Sequence, residues 1–203
     1  MRERYQRKYF QRPTVRIARD ILGGYLVRKL NGETLIGRIV EAEAYLHDDP
    51  ACHAFKGMTE RTRVMFGQAG LGYIYFTYGM HHCFNIVTNE EGVGEAVLIR
   101  ALEPVQGMEA MYALRGEKAK RDTDLLSGPG KICQAFSLTR TESGVDLIES
   151  DTIFLEQGGL KKSEAVGITS RVGLTLAMDK PWRFFIKDNP YVSKGRPSSK
   201  ETA

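Results

Sequence analysis

From Gly37 to Leu46 apolar and charged residues alternate with a period of two. Ile39, Glu41, Glu43 and Tyr45 fall on one side of that pleat, and Val40, Ala42 and Ala44 on the other. The pattern predicts a strand whose small apolar side is packed and whose opposite side carries two carboxylates and a tyrosine. Upstream, Val15, Ala18 and Leu22 form an apolar stripe that predicts a short helix from Pro13 to Leu22, stopped by Gly23-Gly24. Tyr25 to Leu30 alternates as a strand, and Asn31-Gly32 is a two-residue hairpin signal. The return strand runs from Thr34 into the carboxylate segment. Asp48-Asp49-Pro50 then opens a loop carrying Cys52 and His53.

A second strand system follows Gly70-Leu71-Gly72. Tyr73 to Tyr78 is aromatic and β-rich, Gly79-Met80 turns, and Cys83 to Thr88 returns. Ala96 to Leu102 is a further strand ending at Glu103-Pro104. Met108, Met111, Tyr112 and Leu114 predict an amphipathic helix, and Ser127-Gly128-Pro129 starts another through Phe136. Late strands are expected at Thr152 to Leu155 and Arg183 to Ile186. With neither repeat nor interior linker, residues 1–193 read as one α+β domain with a mainly antiparallel core. Residues 1–12 form a basic N-terminal stretch, and 194–203 read as a disordered tail.

Charge sharpens the picture. The net charge is only +4, but the basic residues cluster: Arg2, Arg4, Arg7, Lys8, Arg12 and Arg16 open the chain, and Arg115, Lys118, Lys120 and Arg121 form a second group. Acidic residues fall elsewhere, at Asp48-Asp49 and from Asp146 to Asp151. That segregation suits a nucleic-acid partner. Three cysteines without framework spacing point to reduced thiols in a cytoplasm, and no apolar run approaches a membrane span.

Two features carry chemistry. Strand-mounted Glu41 and Glu43 suit general acid or base work in a hydrolysis, or equally a solvated strand face. Tyr75, Tyr78, Gly79 and Met80 place aromatic and apolar groups at a hairpin tip, where soluble proteins put polar turn formers. Tyr73 and Phe76 are expected in the core and Tyr78 exposed, in the manner of wedges that DNA-bending proteins insert between base steps.

The segments GRIVEAEAY, YIYFTYGMHHCFNI, VLIRALEP and SGPGKICQA resemble the alkyladenine (3-methyladenine) DNA glycosylase family of bacteria and vertebrates, from about Gln11 to Ser193. The resemblance implies base-excision repair: a damaged purine flipped from double-stranded DNA, and its N-glycosidic bond hydrolysed to leave an abasic site. By position, Glu43 matches the carboxylate that activates water. Tyr45, His53 and Tyr75 match the aromatic walls around the flipped base. Tyr78 matches the intercalating side chain, Asn85 the asparagine at the base edge, and Arg100 a residue near the nucleotide backbone. The Tyr45-to-His53 loop is one residue shorter than in the vertebrate pattern. The fold expected is α+β, a single compact domain with a barrel-like β core, flanking helices and a protruding β-hairpin.

The residues themselves agree with that assignment. An aromatic cage attracts a cationic alkylated purine by roughly 0.5–2 kcal/mol. No lysine lies in the carboxylate or hairpin segments, which favours water over an amine as nucleophile. Glu41 is expected as a structural neighbour of Glu43, and Cys83 as a pocket-wall or core thiol. His81-His82-Cys83 and Cys52-His53 lack metal-site spacing, so no metal or other cofactor is expected. Gly128-Pro129-Gly130-Lys131 lacks the Walker spacing, although a helix start there offers Lys131 to a DNA phosphate. The competing readings are a non-enzymatic binder of damaged or bent DNA and a glycosidase acting on free carbohydrate. A monomer is expected.

Overall fold

The computed structural model describes residues 2–77 and 79–198. Tyr78 and residues 199–203 lie outside the described residues. Eight strands form one sheet in which every pairing is antiparallel, in the order β3-β4-β5-β2-β1-β6, with β8 joined to β2 and β7 to β8. The strands are β1 Tyr25–Leu30, β2 Glu33–Tyr45, β3 Gly72–Thr77, β4 His81–Val87, β5 Ala96–Gln106, β6 Ile153–Glu156, β7 Val166–Thr169 and β8 Arg183–Ile186. Helices α1 Arg7–Phe10, α2 Thr14–Asp20, α3 Met108–Arg115, α4 Thr123–Leu126 and α5 Pro129–Ala135 flank them. The expected hairpin at Asn31-Gly32 has φ values of 50° and 83°, as a type I′ turn requires.

Strand β2 is the hinge of the architecture. Up to Arg38 one edge is paired with β1; from Glu41 to Glu43 that edge is taken by β8, while β5 holds the other. Between the two partners Val40 on β2, and then Arg100 on β5, drop out of register as bulges. A bulge bends and twists its strand, so the sheet curls into a half-barrel here. It also re-phases the alternation. Ile39 joins Val40, Ala42 and Ala44 in the main hydrophobic core rather than sharing the side of Glu41 and Glu43, because the extra residue breaks the two-residue period. Ile86, Val97, Ile99, Ile17 and Phe136 complete that core from β4, β5 and the helices.

Three expectations are corrected by packing. Phe76 is 43% exposed and lies against His82 with ring centroids 5.0 Å apart, on the stretch of the β3–β4 ladder that β5 does not pair. The basic N-terminal stretch is not free charge. Arg2 pairs with Glu156, Arg4 with Asp151, Arg7 with Asp146, and both Arg12 and Arg16 with Asp20. What is segregated along the chain is therefore largely cancelled in space. Residues 194–198 are held as a strap: Val172 and Pro197 form a bridge, Ser198 donates its amide to the Arg171 carbonyl at 2.8 Å, and Leu174 donates to Ser198 Oγ at 2.8 Å.

Candidate active site

The carboxylates of Glu41 and Glu43 are both fully buried, and the bulged Arg100 lies between them. Arg100 donates through Nε to Glu41 Oε1 at 3.0 Å and through Nη1 to Glu43 Oε2 at 3.3 Å. Burying a carboxylate is tolerable only when it is paired and hydrogen-bonded. Arg183 brings a second cation, its Nε 2.7 Å from Glu41 Oε1. Two carboxylates and two guanidiniums make the group formally neutral.

The two glutamates have different surroundings. Glu41 accepts from Arg100, Arg183, and both the backbone amide and hydroxyl of Ser193, at 2.7 and 2.9 Å. Three of those four donors converge on Oε1, and the Ser193 amide alone meets Oε2. Glu43 accepts from the Val172 amide at 2.8 Å, the Tyr45 hydroxyl at 2.9 Å and Arg100. One acceptor position is left over. Burial raises the Glu43 pKa, opposed by Arg100, the Val172 amide and Tyr45. Burial pulls Arg100 towards losing its proton, but Glu43 and Glu41 more than offset this and hold it charged.

Beside Glu43 lies a narrow slot, a cavity of about 40 Å³ that widens to about 310 Å³ with its open mouth included, lined by Tyr45, Cys52, His53, Met65, Tyr73, Tyr75, Asn85 and Ala96. Strand β2 supplies Tyr45, the adjoining loop Cys52 and His53, and paired strands β3 and β4 supply Tyr73, Tyr75 and Asn85. The rings of His53 and Tyr75 meet edge-on at 4.4 Å, and those of Tyr73 and Tyr75 lie 5.6 Å apart. His53 keeps much surface in solvent at the mouth, while its Nδ1 turns in to the Tyr73 hydroxyl at 3.1 Å. Desolvation of that side and the nearby Arg61 lower its pKa, so the ring is neutral. Buried Asn85 spends Nδ2 on the carbonyls of Tyr73, 3.0 Å, and Cys83, 3.4 Å, which fixes its amide. Cys83 is buried opposite Tyr75, and burial raises its thiol pKa.

The structure thus gathers Glu43, Tyr45, His53, Tyr75, Asn85 and Arg100, with Glu41 and Cys83 alongside. Tyr73, expected only as core, also lines the slot. Arg183, Arg171, Asp49, Val172 and Ser193 were missed. Arg171 is fully buried, pairs with buried Asp49, donates to the Ala44 carbonyl at 2.9 Å, and lies 4.6 Å from the centre of the Tyr45 ring. No local pattern marks these residues, since each meets its partner across more than a hundred residues of chain. Lys131 does not stand free: its Nζ donates to Ser127 Oγ at 3.0 Å. A wider cleft of about 390 Å³ between the start of β4 and α5, lined by Met80, His81, His82 and Gly130 among others, has no carboxylate in its wall.

The sequence model of the methylpurine-DNA glycosylases matches residues 8–190, which contain every one of these side chains but Ser193. The chain belongs to that family. It is 48% identical over 188 residues to a protein of Carboxydothermus hydrogenoformans, covering 93% of this chain and 97% of that relative. A protein of Methanocella arvoryzae is 47% identical over 195 residues, covering 94% and 96%. One of Francisella tularensis subsp. tularensis is 48% identical over 183 residues, covering 89% and 94%. Each carries the name "Putative 3-methyladenine DNA glycosylase". Membership makes the chain a hydrolase of N-glycosyl bonds in DNA. No helix among the described residues is long and apolar enough to cross a membrane.

Proposed function

We propose that this glycosylase draws an alkylated purine of the 3-methyladenine class out of duplex DNA into the slot between Tyr45, His53 and Tyr75. Water activated by Glu43 then hydrolyses the N-glycosidic bond. The water oxygen bonds to the sugar C1′, its proton passes to Glu43, and the bond to the base breaks with its electrons leaving on the purine. A purine methylated at N3 or N7 starts cationic and departs neutral, so the leaving base needs no acid. The strand stays intact at an abasic site.

The observation that carries this reading is Tyr45. One side chain both lines the slot and donates to Glu43 at 2.9 Å, tying the base pocket to the carboxylate with an acceptor position to spare. A flipped cationic ring against these aromatic faces gains roughly 0.5–2 kcal/mol, towards an unstacking cost of a few kcal/mol. Asn85 limits the base edge, and Arg100 holds Glu43 ionised beside the nucleotide backbone. Tyr78 is the proposed wedge: it sits between Thr77 and Gly79, with Met80 70% exposed and Phe76 also exposed at the same end of the hairpin.

Free base measured after incubation with purine-methylated duplex DNA tests the proposal. Glu43→Gln should bind lesion DNA normally and release base about 10²- to 10⁴-fold more slowly. Near-normal release by that variant would remove Glu43 from the role.

A further inference from the structure

Granting Glu43 as the base, we propose that Glu41 is a positioning residue: clamped by Arg183 and Ser193, it fixes Arg100 against Glu43. The clamp comes from three parts of the chain. Arg183 on β8 is itself oriented by Nη1 donating to Thr169 Oγ1 of β7 at 3.1 Å, and by lying 4.6 Å from the centre of the Phe185 ring. Ser193 closes the far side with two donors as the strap begins. Glu41 in turn receives Arg100 Nε, leaving Nη1 for Glu43. Arg100 is a bulged residue, so register does not set its direction, and Glu41 supplies the missing constraint.

This geometry separates Glu41 from an acid/base partner. Both glutamates are fully buried, but Glu41 takes its four donors from Arg100, Arg183 and Ser193, none of which lines the slot, whereas Glu43 accepts from the slot residue Tyr45. The groups that act electrostatically on Glu43 are Arg100, Tyr45 and Glu41, with Tyr75 and Cys83 of the hairpin affected in return. Arg100 is the cation bonded to Glu43, beside the Val172 amide and the Tyr45 hydroxyl. Arg183, across the ladder from Glu43, is bonded to Glu41, so the direction of Arg100 bears on how far Glu43 is ionised.

Two effects of Glu41→Gln have opposite signs, which makes the experiment decisive. If Glu41 merely competes for Arg100, its neutralisation leaves the whole cation to Glu43, and the acid limb of the pH–rate profile moves down with the rate kept. If Glu41 positions Arg100, the guanidinium slips, the acid limb moves up, and release slows roughly 10- to 100-fold. Single-turnover base release from purine-methylated duplex, measured across pH beside affinity for the same duplex, reads both. We expect slower release, an upward limb and unchanged affinity. Ser193→Ala should move release and limb in the same direction by a smaller factor while melting as wild type does. It carries the test should Glu41→Gln fail to fold. A downward limb, or unchanged rate and profile in the folded variants, overturns the positioning role and leaves Glu43's role standing. Wild-type protein that releases no base would sink the glycosylase reading, and this one with it.

Discussion

Tyr45 donates its phenolic hydrogen to Glu43 Oε2 across 2.9 Å, so the aromatic wall of the slot and the carboxylate form one hydrogen-bonded unit. Burial, and then the neighbouring Glu43 charge, push the tyrosine pKa well above its ordinary value, so the donor stays protonated wherever the enzyme is assayed. Tyr45→Phe keeps the ring and removes only the donor. A hydrogen bond to a charged group is worth about 1.5–3 kcal/mol. The acid limb of base release should therefore rise by about one to two pH units, with lesion affinity held. Titrating single-turnover release of the two proteins checks this, and an unmoved limb would show that Arg100 and the Val172 amide suffice.

The same burial has a thermodynamic consequence. Because the folded protein raises the Glu43 pKa, it binds the proton more tightly than the unfolded chain does. Stability from this group accordingly falls as pH rises from the ordinary carboxyl value of 4.5 through the raised one, and is not regained above it. Glu43→Gln removes the ionisation. It should melt at or above the wild-type temperature at neutral pH, and the difference should vanish as the pH is brought below about 4.5. Melting curves across pH decide it; a variant less stable at neutral pH than in acid, relative to wild type, would mean the carboxylate is net stabilising.

Where local rules dominate, the sequence and the structure agree. The Asn31-Gly32 turn, β1, β3, β4 and the span of β8 follow from alternation and turn chemistry. The site was legible where its residues cluster in β2, β3 and β4. It was not legible where a long-range pair does the work. Asp48-Asp49 reads only as the opening of a loop, yet Asp49 is buried because Arg171 reaches it from more than a hundred residues away. The four-residue β7 has no alternation strong enough to announce itself, and exists as the partner of β8. The Val40 bulge is likewise invisible in a period of two, because it answers the change of partner from β1 to β8.

That Asp49–Arg171 pair supports the loop bearing His53. Asp49 accepts the Ala51 amide at 3.1 Å on Oδ1, while its other oxygen holds Arg171, which bonds Ala44 behind the slot. Removing one partner of a buried ion pair leaves the other unpaired and costs about 3–5 kcal/mol. Asp49→Asn should lower stability by that order and weaken lesion binding before it affects intact chemistry, since the His53 wall loses its anchor. Chemical denaturation beside lesion affinity tests the claim. A loss below about 1 kcal/mol would show that Arg171 finds other acceptors.

Finally, the cancellation of the N-terminal charges makes a prediction about DNA binding that the sequence reverses. Arg7 spends Nη2 on Asp146 at 2.6 Å and Nη1 on the Ala69 carbonyl at 2.8 Å, so it has little left for a phosphate. Lys194 and Arg196 are exposed on the strap, with Gly195 packed so closely that an added Cβ would lie 3.3 Å from Arg100 Nη2. These two exposed cations flank the glycine that packs on Arg100, the side on which the proposed flipped nucleotide would join its backbone. Each phosphate neutralised contributes about 0.9 to the slope of log affinity against log salt on duplex DNA. Lys194→Gln and Arg196→Gln should each flatten that slope by up to about this amount. Arg7→Gln should leave the slope alone and lower the melting temperature, because it breaks a contact within the protein. Duplex binding titrated across salt concentrations separates the two surfaces. A slope that falls with Arg7→Gln and not with the strap variants would place the DNA against the N-terminal stretch after all.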